Sequence, residues 1–71
     1  MDVTVICEKL VKARGNKTQK VAADEMGISQ SALNMYENGV RMPRDEVKEK
    51  IAKYYGMTVG FLFFNEKVHE M

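Results

Sequence analysis

The fold of this chain is decided by residues 18–37, TQKVAADEMGISQSALNMYE. Thr18 is a favourable N-cap residue, because its hydroxyl can accept a hydrogen bond from a backbone N–H of the first helical turn. The residues that follow, Gln19 to Met26, contain no Gly or Pro and therefore predict a short helix. Gly27 can adopt the left-handed conformation that ends such a helix.

The second half of the stretch repeats this arrangement. Ser29 is an N-cap residue for a second helix, predicted from Gln30 to Asn38, and Gly39 ends it. Ile28 in the turn and Leu33 in the second helix are expected to fill the angle between the two helices. A helix, a short turn with glycine and a second helix form the unit that places its second helix in the major groove of DNA.

The stretch also resembles a known family, the Cro and phage-repressor family of helix-turn-helix proteins. The resemblance runs from about Ile6 to Phe64. The residues that carry it stand at the family's spacing: Gln19, Ala23, Gly27, Ser29, Gln30, Tyr36, Glu37, Asn38, Gly39 and Pro43. It implies a DNA-binding transcriptional regulator with a lambda-repressor-like domain.

Three further helices are predicted outside the motif, from the spacing of apolar residues and from capping residues. They cover Val3 to Arg14 behind an Asp2 cap, Arg44 or Asp45 up to Gly56, and Val59 to Phe64. The predicted fold class is therefore all-α, a compact five-helix bundle. Residues 1–64 are expected to form one domain, and residues 65–71 a frayed tail that contains His69.

Length and composition exclude several classes of protein. A chain of 71 residues is too short for an enzyme cleft with its own lid, and no nucleophile-base pair, metal-ligand spacing or phosphate loop is visible. We therefore expect no catalysis, no cofactor, no metal and no small-molecule ligand. No apolar run is long enough for a membrane span, and the single cysteine cannot form an internal disulfide. A bacterial or phage-encoded protein of the cytoplasm is expected.

The net charge of +1 does not by itself indicate nucleic-acid binding, but the charges are unevenly distributed. Basic residues occur in a stretch without acids, residues 12–20, and again at the far end of the motif, whereas acids gather at residues 45–49 and in the tail. The basic ones are Lys12, Arg14, Lys17, Lys20, Arg41 and Arg44. This pattern predicts a local basic patch.

The first turns of the second motif helix are predicted to read bases. Their outward face carries Gln30, Ser31, Asn34 and Met35. Gln and Asn match the donor and acceptor pair of adenine, Ser can donate or accept, and Met can contact a thymine methyl. No Arg is present to bind guanine, so A·T-weighted recognition is expected. The alternative is a polar helix face that is only solvated.

A second set of residues is predicted to contact phosphates. The resemblance implies this role for Gln19 and Asn38, and positive charge adds Arg41 and Arg44 on one flank and Lys17 or Lys20 on the other. The full set is Thr18, Gln19, Lys20, Asn38, Arg41 and Arg44. The resemblance also implies that Glu37 pairs with a basic residue of the first helix, at about Lys12, with Arg14 nearby.

Two sequence features concern packing and assembly. The family usually has an apolar residue where Lys17 stands and a larger aliphatic one where Ala22 stands, so Val21 is expected to turn inward in compensation.

In the last helix Leu62 and Phe63 are expected in the core, which leaves Phe61 and Phe64 outside as a dimer contact.

The sequence therefore predicts a repressor of phage or mobile-element type that binds a palindromic DNA operator as a homodimer, without any membrane association. Two alternatives remain open. One is an antitoxin or restriction-controller protein of the same family. The other is a protein-interaction module that has lost DNA binding.

Overall fold

Five α-helices run through residues 3–64, the part of the chain that the computed structural model describes. They are α1 (Val3–Arg14), α2 (Gln19–Met26), α3 (Gln30–Glu37), α4 (Asp45–Tyr55) and α5 (Val59–Phe63). The predicted all-α bundle is confirmed, although α3 and α5 each end one residue earlier than expected. The Asp2 cap and the tail at residues 65–71 lie outside the described residues.

The helix-turn-helix motif is closed by the residues that its sequence singled out. The Thr18 hydroxyl accepts a bond from the Val21 N–H at 3.1 Å, which caps α2. Gly27 has a left-handed φ of +81°, and its N–H and that of Ile28 both bond to the Ala23 carbonyl. This geometry satisfies carbonyls at the end of α2 and turns the chain into α3 within three residues.

The centre of the core holds one large aliphatic side chain from each of four helices. Leu10 of α1, Leu33 of α3, Ile51 of α4 and Leu62 of α5 are all fully buried. Burying each of them contributes roughly 1.5–3 kcal/mol relative to exposure. α3 is held at its midpoint by Leu33, so the core fixes which of its faces points to solvent.

The packing of α2 differs from the expectation for Val21. Ala22 and Ala23 are both completely buried, whereas Val21 remains 43% exposed. The two alanines bring the backbone of α2 close to the core, so no larger side chain has to turn inward. The expected inward rotation of Val21 is therefore wrong.

α1 contacts the end of α3 through a glycine. Gly39 has a φ of +74°, and a Cβ at this position would lie 2.8 Å from Val3 Cγ1 and 3.1 Å from Cys7 Sγ. Cys7 itself is half-buried, and its thiol donates to the Tyr36 carbonyl at 3.7 Å. Only a residue without a side chain allows the chain to pass this close to α1.

α5 packs back against α1. Lys9 Nζ donates to the Phe61 carbonyl at 2.6 Å and lies 4.2 Å from the centre of the Phe61 ring. The first and last described helices are thus in direct contact. None of the described helices is long and apolar enough to cross a bilayer.

Candidate nucleic-acid interface

The four residues predicted to read bases share the outward side of α3. Gln30, Ser31 and Asn34 are exposed and Met35 is half-buried. The opposite side of the helix is fixed inward by Leu33 and the following buried residues. The Ser29 hydroxyl accepts a bond from the Ala32 N–H at 3.0 Å and caps this helix where the polar side chains begin.

A partly buried ion pair joins the end of α3 to α1. Glu37 Oε2 and Oε1 accept bonds from Arg14 Nε at 2.8 Å and Nη2 at 3.0 Å. The bond to Glu37 raises the pKa of Arg14 above its usual value. The residue of α1 that pairs with Glu37 is therefore Arg14 and not Lys12. Arg14 Nη1 also donates to the Lys17 carbonyl at 2.7 Å, so the same side chain links α1 to the segment before the motif.

Gln19, at the start of α2, bonds both to this ion pair and to Asn34 of α3. Its amide nitrogen donates to Glu37 Oε1 at 2.9 Å and to Asn34 Oδ1 at 3.3 Å. The first residue of α2 is therefore hydrogen-bonded to the middle and to the end of α3. Gln19, which is predicted to contact phosphate, is thus bonded directly to Asn34, which is predicted to read bases.

Asn38, at the end of α3, bonds to the same asparagine. Its amide nitrogen donates to the Asn34 carbonyl at 2.9 Å and to Asn34 Oδ1 at 3.0 Å. Asn34 Oδ1 thus accepts one bond from each side, from Gln19 and from Asn38. The consequence is a connected polar row along the outer edge of the motif.

The cationic flank consists of Arg41 and Arg44, which follow α3. Both are exposed, and neither forms an ion pair with a carboxylate in the described part of the chain. Free guanidinium groups in this position can bind phosphate oxygens bidentately. Arg44 also occupies the N-cap position of α4 without a side-chain capping bond, so its side chain remains available.

The opposite flank is less free. Thr18 is exposed, and because its oxygen caps α2 its hydroxyl hydrogen remains to donate. Lys20 is an exposed residue whose Nζ lies 3.3 Å from Asp24 Oδ2. Such an exposed pair is weak, so Lys20 can exchange it for a phosphate at small cost.

Lys17 is engaged elsewhere. Its Nζ donates to Glu25 Oε1 at 2.9 Å and to the Tyr54 hydroxyl at 2.7 Å, and Tyr54 in turn donates to Glu25. The hydrogen bond with Tyr54 is the main cause that raises the pKa of Lys17, and the bond with Glu25 adds to it. The bond that Tyr54 donates lowers the pKa of Glu25. Of the two lysines considered for the phosphate contact, Lys20 is the one left on the α2 flank.

The two aromatic residues expected outside α5 have different environments. Phe64 is 55% exposed, with Lys48 Nζ 4.8 Å from its ring centre. Phe61 is half-buried and packs against the core beneath Lys9. Leu62 and Phe63 are buried, as expected. Phe64 is therefore the more accessible of the two candidate dimer contacts.

Tyr55, at the end of α4, carries a buried hydroxyl with no hydrogen-bond partner among the described residues. Burial is the main cause that raises the pKa of Tyr55 to about 12, and the nearby negative charge of Glu37 adds to it. The hydroxyl therefore stays neutral beside the ion pair under physiological conditions. Within residues 3–64, no group of His, Cys, Asp or Glu side chains has the arrangement of a metal site.

Sequence reasoning identified the outward residues of α3 but missed how they are connected. The bonds from Gln19 and Asn38 to Asn34 have no signal in the sequence, because they depend on the angle at which α2 crosses α3. The choice of Arg14 over Lys12 depends in the same way on how α1 meets α3. The cluster of Lys17, Glu25 and Tyr54 joins residues up to 37 positions apart and was also missed.

Comparisons with known proteins agree with this geometry. The family model described as helix-turn-helix matches residues 8–62, which is most of the chain. No curated protein and no solved structure gave a significant match. The matched range contains α2, the turn, α3 and both flanking arginines. The chain belongs to the Cro/C1-type helix-turn-helix family of DNA-binding regulators.

Proposed function

We propose that this protein is a transcriptional repressor of phage or mobile-element type, and that two copies bind a palindromic operator. α3 enters the major groove of each half-site, and its outward residues contact base edges. The start of α2 and the loop after α3 hold the phosphate backbone on either side. Such a protein acts in the cytoplasm of a bacterium.

The observation that carries this proposal is the division of polar groups around the motif. Gln30 and Ser31 are exposed at the capped start of α3, where the helix end nearest the bases is expected. Arg41 and Arg44 follow the other end of α3, and neither has an acidic partner in the described part of the chain. Neutral hydrogen-bonding groups in the centre and free cations at the edge suit base reading and phosphate binding, respectively.

The homodimer is supported by the surface around Phe64. A large aromatic side chain that is 55% exposed on a short terminal helix gains from being covered by a twofold partner. One α3 reads only a few base pairs, so two copies whose half-sites lie about 34 Å apart combine their binding energies. We expect a small interface that forms mainly on the operator.

Selection from a pool of random DNA duplexes tests the proposal. The wild-type protein should enrich a sequence with twofold symmetry. Gln30→Ala should relax one base-pair position in each half-site and cost about 1–3 kcal/mol there. Lys53 is an exposed cation of α4 beside Glu25 and Tyr54, and Lys53→Ala is the control: it should enrich the wild-type sequence.

The outcomes separate the proposal from a monomeric DNA reader and from a protein-interaction module. An enriched site without symmetry would remove the homodimer but keep DNA reading. No enrichment above random duplex would favour a protein-interaction module. An antitoxin or restriction-controller protein would enrich a site in the same way. An antitoxin would differ by co-purifying with a toxin, and a restriction controller by being encoded beside a restriction gene.

A further inference from the structure

Asn34 is held in one amide orientation by the side chains of Gln19 and Asn38, and this orientation limits which bases it can read. An asparagine reads adenine by accepting from N6 and donating to N7, so it needs both its oxygen and its nitrogen free. In this protein the oxygen accepts from Gln19 Nε2 at 3.3 Å and from Asn38 Nδ2 at 3.0 Å. A carbonyl oxygen has two lone pairs, and here each has a donor.

The orientation of Gln19 is fixed by the buried ion pair. Glu37 Oε1, which also accepts from Arg14, lies 2.9 Å from the Gln19 amide nitrogen. Turning the Gln19 amide over would place its oxygen against a carboxylate oxygen, and two acceptors would then face each other. Gln19 therefore presents N–H groups to Glu37 and, on the same side, to Asn34.

The orientation of Asn38 is fixed independently. Its amide nitrogen donates to the backbone carbonyl of Asn34 at 2.9 Å, a group that can only accept. The same nitrogen lies 3.0 Å from Asn34 Oδ1. Turning the Asn34 amide over would therefore bring its nitrogen against two other N–H groups at once.

We infer that Asn34 presents only its amide N–H groups to DNA and reads an oxygen-bearing base, guanine or thymine, in place of the adenine that an unconstrained asparagine would suit. This inference rests on the proposed function. In the major groove guanine offers two acceptors, O6 and N7, and thymine offers O4. Adenine offers N7 alone beside an amino donor, which faces a donor-only side chain unfavourably, and cytosine offers only an amino donor. Gln30 is exposed and its side chain has no hydrogen-bond partner among the described residues, so its amide can still turn to fit adenine.

The inference makes the DNA preference depend on residues behind the reading face. Arg14 and Glu37 do not need to touch DNA, yet through Gln19 they determine which group of Asn34 faces it. They are positioning residues for base reading. Gln19 then has two roles, since it orients Asn34 and stands at the start of α2 beside the phosphate backbone.

Duplex selection with aspartate at position 34 tests this inference. The base-pair position read by Asn34 is first identified as the one whose preference is lost in Asn34→Ala. Asn34→Asp keeps the inward acceptor and replaces the outward donor by an acceptor. The strand that carries guanine or thymine at this position in the wild-type site should then carry adenine or cytosine. The ratio of affinities for the two kinds of base should change by about fivefold, which corresponds to one hydrogen bond.

An unconstrained adenine-reading asparagine predicts a different result. Its aspartate variant would keep the acceptor for the adenine amino group, so the amino base would stay on the same strand. Unchanged strand preference in Asn34→Asp would therefore overturn the inference, as would a site that Asn34→Ala leaves unaltered. If the wild-type protein selects no motif at all, the proposed function fails as well.

Two further variants separate orientation from other effects. Gln30→Glu adds the same charge one turn earlier on α3; it should alter the position that Gln30 itself reads and leave the preference at the Asn34 position as in the wild type. The double variant Gln19→Met/Asn38→Ala removes both donors to Asn34, so that its amide is free to turn. In that background Asn34→Asp should no longer invert the preference, and an inversion that persists would contradict the role of the two donors. Thermal melts of each variant confirm that it is folded.

Discussion

Arg14 and Glu37 form a two-bonded ion pair between α1 and the end of α3, with the Glu37 side chain 3% exposed and that of Arg14 19% exposed. Such a pair adds little net stability, because both charges had to leave water. Its effect is to specify how α1 meets α3. Removing one partner leaves the other buried without compensation, and this asymmetry can be measured.

We predict that Arg14→Met lowers the free energy of unfolding by about 3 kcal/mol, since the carboxylate of Glu37 is then stranded. The double variant Arg14→Met/Glu37→Met should recover most of this loss. Urea denaturation of the wild type, both single variants and the double variant gives the coupling energy. Additive losses in the two single variants would show that the pair is not energetically coupled.

Arg41→Ala is expected to weaken binding to the operator and to random DNA by the same factor. Its guanidinium has no acidic partner among the described residues and is assigned to a phosphate, so one counterion fewer is released on binding. The slope of log affinity against log salt should fall by about one. Titrations at several salt concentrations measure this, with Lys53→Ala as the charge-matched control. A loss restricted to the operator would assign Arg41 to base reading.

The two motif glycines should differ in their tolerance of alanine. Both have positive φ, but a Cβ at Gly27 meets no atom within 4 Å, whereas at Gly39 it lies 2.8 Å from Val3 Cγ1. Gly27→Ala should therefore cost about 1–2 kcal/mol, the left-handed penalty alone. Gly39→Ala should cost more, since α1 must shift as well. Equal melting temperatures for the two variants would show that α1 accommodates the added methyl freely.

Phe64→Glu should abolish cooperative filling of the two half-sites and leave the monomer folded. Phe64 is 55% exposed, so the substitution removes little core packing. Phe61→Glu is a poorer test, because that ring packs against the core and would destabilise the domain. Gel shifts on full-site and half-site duplexes measure the cooperativity. Wild-type cooperativity in Phe64→Glu would place the dimer surface elsewhere.

The sequence was sufficient for the local features of this protein. Thr18, Gly27 and Ser29 act through bonds to residues within four positions, so their roles follow from residue type and spacing. The outward face of α3 follows equally from the helical repeat around Leu33. Its base-reading role remains a prediction, but its exposure was predictable.

What the sequence did not give depends on distances between helices. Glu37 has two basic candidates on α1, two residues apart, and only the packing of α1 against α3 selects Arg14. Phe61 and Phe64 look alike in sequence, yet Lys9 lies over one ring and leaves the other exposed. The bond acceptors of Gln19 likewise appear only when α2 and α3 are placed together.

The contact of α5 with α1 also bears on how the protein folds during synthesis. Lys9 and Phe61 are 52 residues apart, and Leu62 completes the core that Leu10 begins. A nascent chain that has reached only Gly56 contains the whole helix-turn-helix motif but lacks the core residues of α5, Leu62 and Phe63. We expect such a chain to melt without cooperativity in a thermal scan, so the motif becomes competent to bind DNA only after α5 has left the ribosome.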